Sequence, residues 1–178
     1  LTAGGSVYAN TIENVDIGGD AYYQTIITST VSGTSHPGSA DQPPKVFPIS
    51  DANVTDWKNQ VDKPETTTVG DITNCPSTFG SIKVVGNVTF DSCCRVTVKS
   101  PIWITGNFTM NSNNILTLDS SYGAASGVIV VDGQVIMNSN NHLNGTGVGT
   151  SLLMALSSFN SNTHSGDAAV KVNSNGNT

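Results

Sequence analysis

Ile104-Thr105-Gly106-Asn107-Phe108-Thr109-Met110-Asn111-Ser112-Asn113-Asn114-Ile115-Leu116-Thr117-Leu118 decides the fold, because the chain writes the same phrase on either side of it. Upstream it reads Val84-Val85-Gly86-Asn87-Val88-Thr89-Phe90-Asp91-Ser92-Cys93-Cys94-Arg95-Val96-Thr97-Val98. Downstream it reads Val131-Asp132-Gly133-Gln134-Val135-Ile136-Met137-Asn138-Ser139-Asn140-Asn141-His142-Leu143-Asn144-Gly145. A fourth copy opens at Val170-Lys171-Val172-Asn173-Ser174-Asn175-Gly176. Recurrence of this kind points to stacked coils before any local propensity is weighed.

Inside each copy the apolar residues alternate. Val88 and Phe90 are followed by Val96 and Val98, and Phe108 and Met110 by Leu116 and Leu118. Period two marks strands with one buried face. A polar corner separates the strands: Asn111, Asn113 and Asn114 in one copy, Asn138, Asn140 and Asn141 in the next, Asn173 opening the last. Asparagine tolerates left-handed backbone angles and bonds its own backbone, which suits a corner. Gly86, Gly106 and Gly133 mark a second corner.

The intervals are 20 residues from Gly86 to Gly106, 27 from Gly106 to Gly133 and 35 from Met137 to Val172. Longer intervals are accommodated as corner loops, and Ser151–Leu156 adds a strand-like run of its own. One copy cannot bury its apolar face; stacked copies can. Stacking at the strand spacing of about 4.8 Å would lay asparagine over asparagine, with amides bonding along the column. The expected fold is all-β: a right-handed parallel β-helix with one short capping α-helix and a Pro-rich loop.

The expectation is a single domain over residues 1–178. Residues 1–31 read as first coils, residues 32–64 as a Pro-rich excursion and the helix, and residues 65–178 as the repeated coils. Pro37, Pro43, Pro44 and Pro48 lie in the excursion. Ser50 is a natural N-cap, Asp51 suits the first turn, and Val54, Trp57 and Val61 share one helix face. That face, with Trp57 as its anchor, is expected to cover an open apolar end of the stack.

Charged residues make up 11% of the 178, with a net charge of −6 and seven Lys plus Arg. Phosphate neutralisation needs clustered cations, so nucleic acid is not an expected partner. No apolar run reaches the roughly 18 residues of a membrane span. With neither Met nor a signal peptide at the start, and an end inside a repeat, the chain reads as a mature fragment. A neutral polar surface of this kind fits an extracellular or cell-surface setting.

The cysteines are Cys75, Cys93 and Cys94. Adjacent cysteines bond each other poorly, so Cys75 with Cys93 or Cys94 is the expected pair, against three reduced thiols. No Cys-x-x-Cys is present, and His36, His142 and His164 lie far from the cysteines, so neither a metal nor a cofactor is expected.

Ile17-Gly18-Gly19-Asp20-Ala21-Tyr22-Tyr23-Gln24-Thr25-Ile26 resembles a known group, and so do His36-Pro37-Gly38-Ser39-Ala40-Asp41, Phe47-Pro48-Ile49-Ser50-Asp51 and Trp57-Lys58. The likeness resumes at Ile104-Thr105-Gly106-Asn107 and Leu118-Asp119-Ser120-Ser121-Tyr122-Gly123. These stretches are similar to uncharacterised bacterial surface proteins of the PilX-type, pilus-associated group. That resemblance implies a β-helical ectodomain behind a membrane-anchoring, prepilin-like helix. The helix is not in this sequence, so any membrane association would run through an anchor outside it. No catalytic residue is carried over.

β-helices that cleave polysaccharides need paired carboxylates, or Lys or Arg with a bound cation. Asp91 aligns with Asn111 and Asn138, Asp119 reads as a turn, and Asp132 sits beside Gly133, so no catalytic residue is assigned. Asp16 and Asp20 around Gly18-Gly19 fit a turn better than a calcium site. The Asn-x-Ser/Thr triplets at Asn53, Asn87, Asn107 and Asn144 follow from composition and repeat. Tyr8, Tyr22, Tyr23, Trp103 and Tyr122 are candidates for stacking on sugars, with Trp103 read as facing inward. The expected function is a non-enzymatic structural or adhesive ectodomain of a pilus-associated or envelope protein. Its partners would be other pilus or filament subunits, or a surface glycan. The runner-up is a carbohydrate-binding or carbohydrate-cleaving β-helix.

Overall fold

The computed structural model describes residues 1–40, 49–160 and 167–173. The chain divides into two compact units, Leu1–Pro48 and Ile49–Thr178. Among the described residues every strand pairing is parallel and there is one α-helix.

The first unit has two walls. Strands β1 (Thr2–Ala3), β3 (Asp16–Ile17) and β5 (Thr30–Val31) form one; β2 (Val7–Glu13), β4 (Ala21–Ile27) and β6 (Ser35–Pro37) form the other. Thr2 pairs with Asp16 and Asp16 with Thr30, while Val7 pairs with Ala21 and Ala21 with Ser35. Each coil therefore takes 14 residues, as the Ser6–Asp20 and Asp20–Thr34 hydrogen bonds also show. Asn14 (φ 55°) and Thr28 (φ 46°) turn equivalent corners. Ile12, Ile17, Ala21 and Tyr23 are its buried core.

The second unit begins with α1 (Asp51–Val61) and continues as coils with three sides. β7 (Thr68–Val69), the bridge from Ile72 to Val88, and β8 (Thr78–Phe79) open it. β9 (Lys83–Val84), β10 (Val88–Phe90) and β11 (Arg95–Val98) make the next circuit, and β12 (Ile102–Ile104), β13 (Phe108–Ser112) and β14 (Ile115–Leu118) the one after. β15 (Gly127–Val131), β16 (Val135–Ser139) and β17 (His142–Asn144) follow; β18 (Leu153–Ser157) and β19 (Val170–Val172) start another. Three walls result, ordered β7-β9-β12-β15-β18, β10-β13-β16-β19 and β8-β11-β14-β17. A chain that visits three parallel sheets in rotation fits the stacked coils read from the repeats.

Register superposes like on like: Val88, Phe108 and Val135; Phe90, Met110 and Met137; Val98 and Leu118. These side chains fill the interior, each buried one contributing roughly 1.5–3 kcal/mol of transfer free energy. Phe79, Phe90 and Phe108 pack edge to face at 5.5 and 5.7 Å. The glycine corner is packed backbone on backbone: a Cβ at Gly106 would lie 2.5 Å from the Gly86 carbonyl oxygen, and one at Gly133 would lie 2.6 Å from that of Gly106. Only glycine permits this approach.

Two expectations are corrected. The helix does not lie across an end of the stack; it packs against the flank of β12 and β15, two interior strands of the first wall. It is held there by the Lys58–Asp132 and Lys83–Asp62 ion pairs. Trp103 faces outward, not inward, because Ile102 and Ile104 on either side of it are fully buried in the core and alternation leaves it outside. Pro37 ends β6, whereas Pro43, Pro44, Pro48 and His164 lie outside the described residues.

Candidate functional site

The asparagine corner forms three columns. In the first, Asn111 Nδ2 donates to Asp91 Oδ1 at 3.4 Å, Asn138 to Asn111 at 3.1 Å and Asn173 to Asn138 at 2.8 Å. In the second, Asn140 Nδ2 donates to Asn113 Oδ1 at 2.8 Å; Cys93, Asn113 and Asn140 there have φ of 68°, 59° and 52°. The third column is the inner one, and its Asn114 and Asn141 are fully buried. Asn141 Oδ1 accepts from both the backbone and the side chain of Asn114, and its Nδ2 donates to the Asn111 carbonyl at 2.9 Å. Asn114 Oδ1 in turn accepts from Cys94 N at 2.8 Å. Below Cys94 the column continues as a covalent link, for Cys94 is disulfide-bonded to Cys75 with Cα atoms 5.5 Å apart. Cys93, in the outward column, is an exposed free thiol.

The glycine corner carries a parallel series. Asp71 Oδ1 accepts from Asn87 N, Asn87 Oδ1 from Asn107 N, and Asn107 Oδ1 from Gln134 N, at 2.6, 2.9 and 2.8 Å. Asp71, Asn87 and Asn107, with Thr73, Thr89 and Thr109, line an open trough of ≈ 340 Å³ on the second wall.

The first wall has a different exterior. Trp103 Nε1 donates to Asp132 Oδ2 at 2.8 Å, while Asp132 Oδ1 pairs with Lys58 of α1 at 2.5 Å and accepts from Ser158 at 3.0 Å. Lys83 Nζ lies 4.2 Å from the Trp103 ring centroid and pairs with Asp62 at 2.8 Å. Each part-exposed ion pair contributes about 1 kcal/mol at most. Together with the cation–π contacts they clamp the helix C-terminal turn to the wall. At the other end Ser50 and Asn53 form a capping box.

Beside this clamp the helix and wall enclose a cleft of ≈ 250 Å³. Trp57 and Gln60 of α1, Pro101, Tyr122, Ser126 and Met154 form its sides. The Tyr122 hydroxyl donates to the Ser100 carbonyl at 2.6 Å, fixing that ring, and Ser100 Oγ accepts from Val128 N at 2.8 Å. Trp57 and Gln60 stand three residues apart on one helix face. Sequence reading singled out Trp57 and Tyr122 separately. Their convergence depends on the flank position of α1, which no local pattern announces.

The carboxylates weighed from sequence sit on separate corners. Asp91 ends the first asparagine column, Asp132 holds the Trp103 clamp, and Asp119 caps the short turn Ser120–Tyr122 by accepting from Ser121 N at 2.9 Å. The Ser121 hydrogen bonds hold the Asp119 carboxyl below the usual aspartate range, with Lys99 adding to the effect. Among the described residues no group of three or more His, Cys, Asp or Glu side chains is arranged to hold a metal ion.

In the first unit Asp16 Oδ1 accepts from Thr30 Oγ1 and Asp20 Oδ1 from Thr34 N, so both serve coil-to-coil bonds. Tyr8, Tyr22 and His36 stack face to face at centroid distances of 4.2 Å. The ring faces within the stack are taken up by one another, leaving the ring edges and the outer faces of Tyr8 and His36. Tyr22 titrates above the ordinary tyrosine value, chiefly through its hydrogen bond with Tyr8. No family model, curated protein or solved structure matches this chain.

Proposed function

We propose that this chain is a stiff, non-enzymatic ectodomain of a pilus-associated or other cell-envelope protein, wound as a right-handed parallel β-helix. Right-handed winding follows the strong preference of parallel strand crossovers within one sheet. The observation that carries the functional reading is the continuous column from Asp91 through Asn111 and Asn138 to Asn173, joined at every step by a side-chain hydrogen bond. Beside it runs the inner column closed by the Cys75–Cys94 bond. Polar residues in this wall are committed to holding coils in register, which favours a spacer or adhesive surface. A disulfide supports an oxidising compartment. The stretches similar to the pilus-associated group support the same placement.

The test is location. Intact producing cells should expose the chain to antibody and to added protease, and sheared pili or envelope should contain it. Recovery from the cytosol alone contradicts the proposal. Coils that stack within a chain also lend themselves to stacking between chains. Light scattering behind size exclusion checks that option, and a monomer at all concentrations removes it.

A second reading, carbohydrate recognition, is favoured by the cleft between Trp57 and Tyr122. Cleavage is less favoured, because glycoside hydrolysis needs two carboxyl groups flanking one bond, and Asp91, Asp119 and Asp132 serve three different corners.

A further inference from the structure

We infer that the cleft between α1 and the first wall binds one ring of a neutral saccharide, with Trp57 as the stacking face and Gln60 as the hydrogen-bonding handle. This inference deepens the adhesive reading above and rests on it for its biological meaning.

The chemistry of the lining selects the ligand. None of the nine lining residues is charged, so nothing there offsets the desolvation of a uronate, sialate or phosphate. Trp57, Tyr122, Pro101 and Met154 supply a flat, polarizable, apolar surface, the complement of the C–H face of a pyranose. Neither the Trp57 indole N–H nor the Gln60 amide has a hydrogen-bond partner among the described residues, so both are open to the hydroxyls of a ligand. A sugar ring satisfies both needs, presenting carbon on its face and hydroxyls on its edge.

Size agrees. Sites for drug-sized ligands run about 300–1,000 Å³, and ≈ 250 Å³ fits one ring with its neighbours outside. The walls are also rigid before binding. Tyr122 is fixed by Ser100, Ser126 Oγ accepts from Leu152 N at 3.0 Å, and α1 is clamped through Lys58 and Asp132. Little ordering entropy is then lost on binding, which matters when a single ring provides few contacts.

The alternatives fare worse. The threonine trough on the second wall has no aromatic face, and its Asn87 and Asn107 oxygens are occupied by backbone N–H groups. In the Tyr8–Tyr22–His36 stack both faces of the central ring are already taken up by its neighbours.

The experiment is titration of the purified chain with glucose, galactose, mannose, N-acetylglucosamine and their β-linked disaccharides, with glucuronic acid as the charged control. Trp57 fluorescence and saturation-transfer NMR report binding, and Trp57→Phe identifies which tryptophan responds. At least one neutral sugar should bind saturably in the millimolar range, and glucuronic acid should bind at least tenfold more weakly than its neutral parent. Trp57→Ala and Gln60→Ala should each lose tenfold or more in affinity with melting and circular dichroism unchanged, and Asn87→Ala in the threonine trough should retain it. No saturable binding by any neutral sugar overturns the inference, as does equal affinity in Trp57→Ala or Gln60→Ala, or tighter binding of glucuronic acid. A chain found on the cell surface that ignores all these sugars would refute the cleft assignment and leave the ectodomain proposal standing.

Discussion

Asn138 Nδ2 donates to Asn111 Oδ1 at 3.1 Å although 27 residues separate the two. Asn111 reaches Asp91 across 20 residues, and Asn173 reaches Asn138 across 35. Unequal loops thus converge on a constant rise, and the corner keeps register while the connections vary. Loop length costs little, since closure entropy grows only with the logarithm of length.

The inner column should matter more than the outer ones. Asn141→Ala removes the acceptor for two Asn114 donors in a buried setting and the donor to the part-buried Asn111 carbonyl. Unsatisfied buried groups cost about 1–3 kcal/mol each, so a loss of about 3 kcal/mol in urea unfolding is expected. Asn140→Gly keeps the positive φ and touches only an exposed bond; it should stay within about 0.5 kcal/mol of the parent.

Cys75 and Cys94 close a loop of sequence separation 19. Chain-entropy estimates put such a link near 3 kcal/mol. The double variant Cys75→Ser/Cys94→Ser should therefore unfold at clearly lower urea. In the oxidised protein iodoacetamide should label Cys93 alone, read by peptide mass spectrometry; labelling at Cys75 or Cys94 would break the pairing.

Trp103→Ala should free α1 without unstacking the walls. It removes the ring under Lys58 and Lys83 and the bond to Asp132. Amide exchange in residues 57–61 is expected to rise roughly tenfold, with exchange in β13 and β16 unchanged. Equal acceleration in both regions would mean the clamp holds more than the helix.

Asp119 predicts an acid limb. Its folded carboxyl titrates below the ordinary value of about 3.9, because the charged form is stabilised by the Ser121 bonds. A depressed folded value stabilises the fold above the unfolded pKa, and that contribution fades as pH falls through the folded value. Asp119→Asn should flatten this acid dependence, read as the melting temperature between neutral pH and pH 3. A profile unchanged by the substitution would remove Asp119 from the account.

Particular residues show how far sequence reading reaches. The alternation around Phe108 and Met110 and the recurring Asn-Ser-Asn-Asn are periodic, so wall, corner and register were legible. The 14-residue coil of the first unit was equally periodic, as Ala3-Gly4-Gly5, Ile17-Gly18-Gly19 and Val31-Ser32-Gly33 reveal once aligned. Its signal is weak in sequence because its strands are two residues long at these positions. At Trp103 alternation alone leaves the facing open between it and its two neighbours; Ile102 and Ile104 take the inward positions. The flank site of α1 and the cleft beside it were not legible, since Trp57, Tyr122 and Met154 meet only through tertiary packing.

The fold consists of coils superposed in parallel register. Backbone nuclear Overhauser effects in uniformly labelled protein test this directly at the second wall. Cross-peaks linking Thr89 to Thr109 and Thr109 to Ile136 in parallel pattern are predicted, with none pairing β10 to β11. Strong contacts between β10 and β11 as an antiparallel hairpin would contradict the stack and everything built upon it.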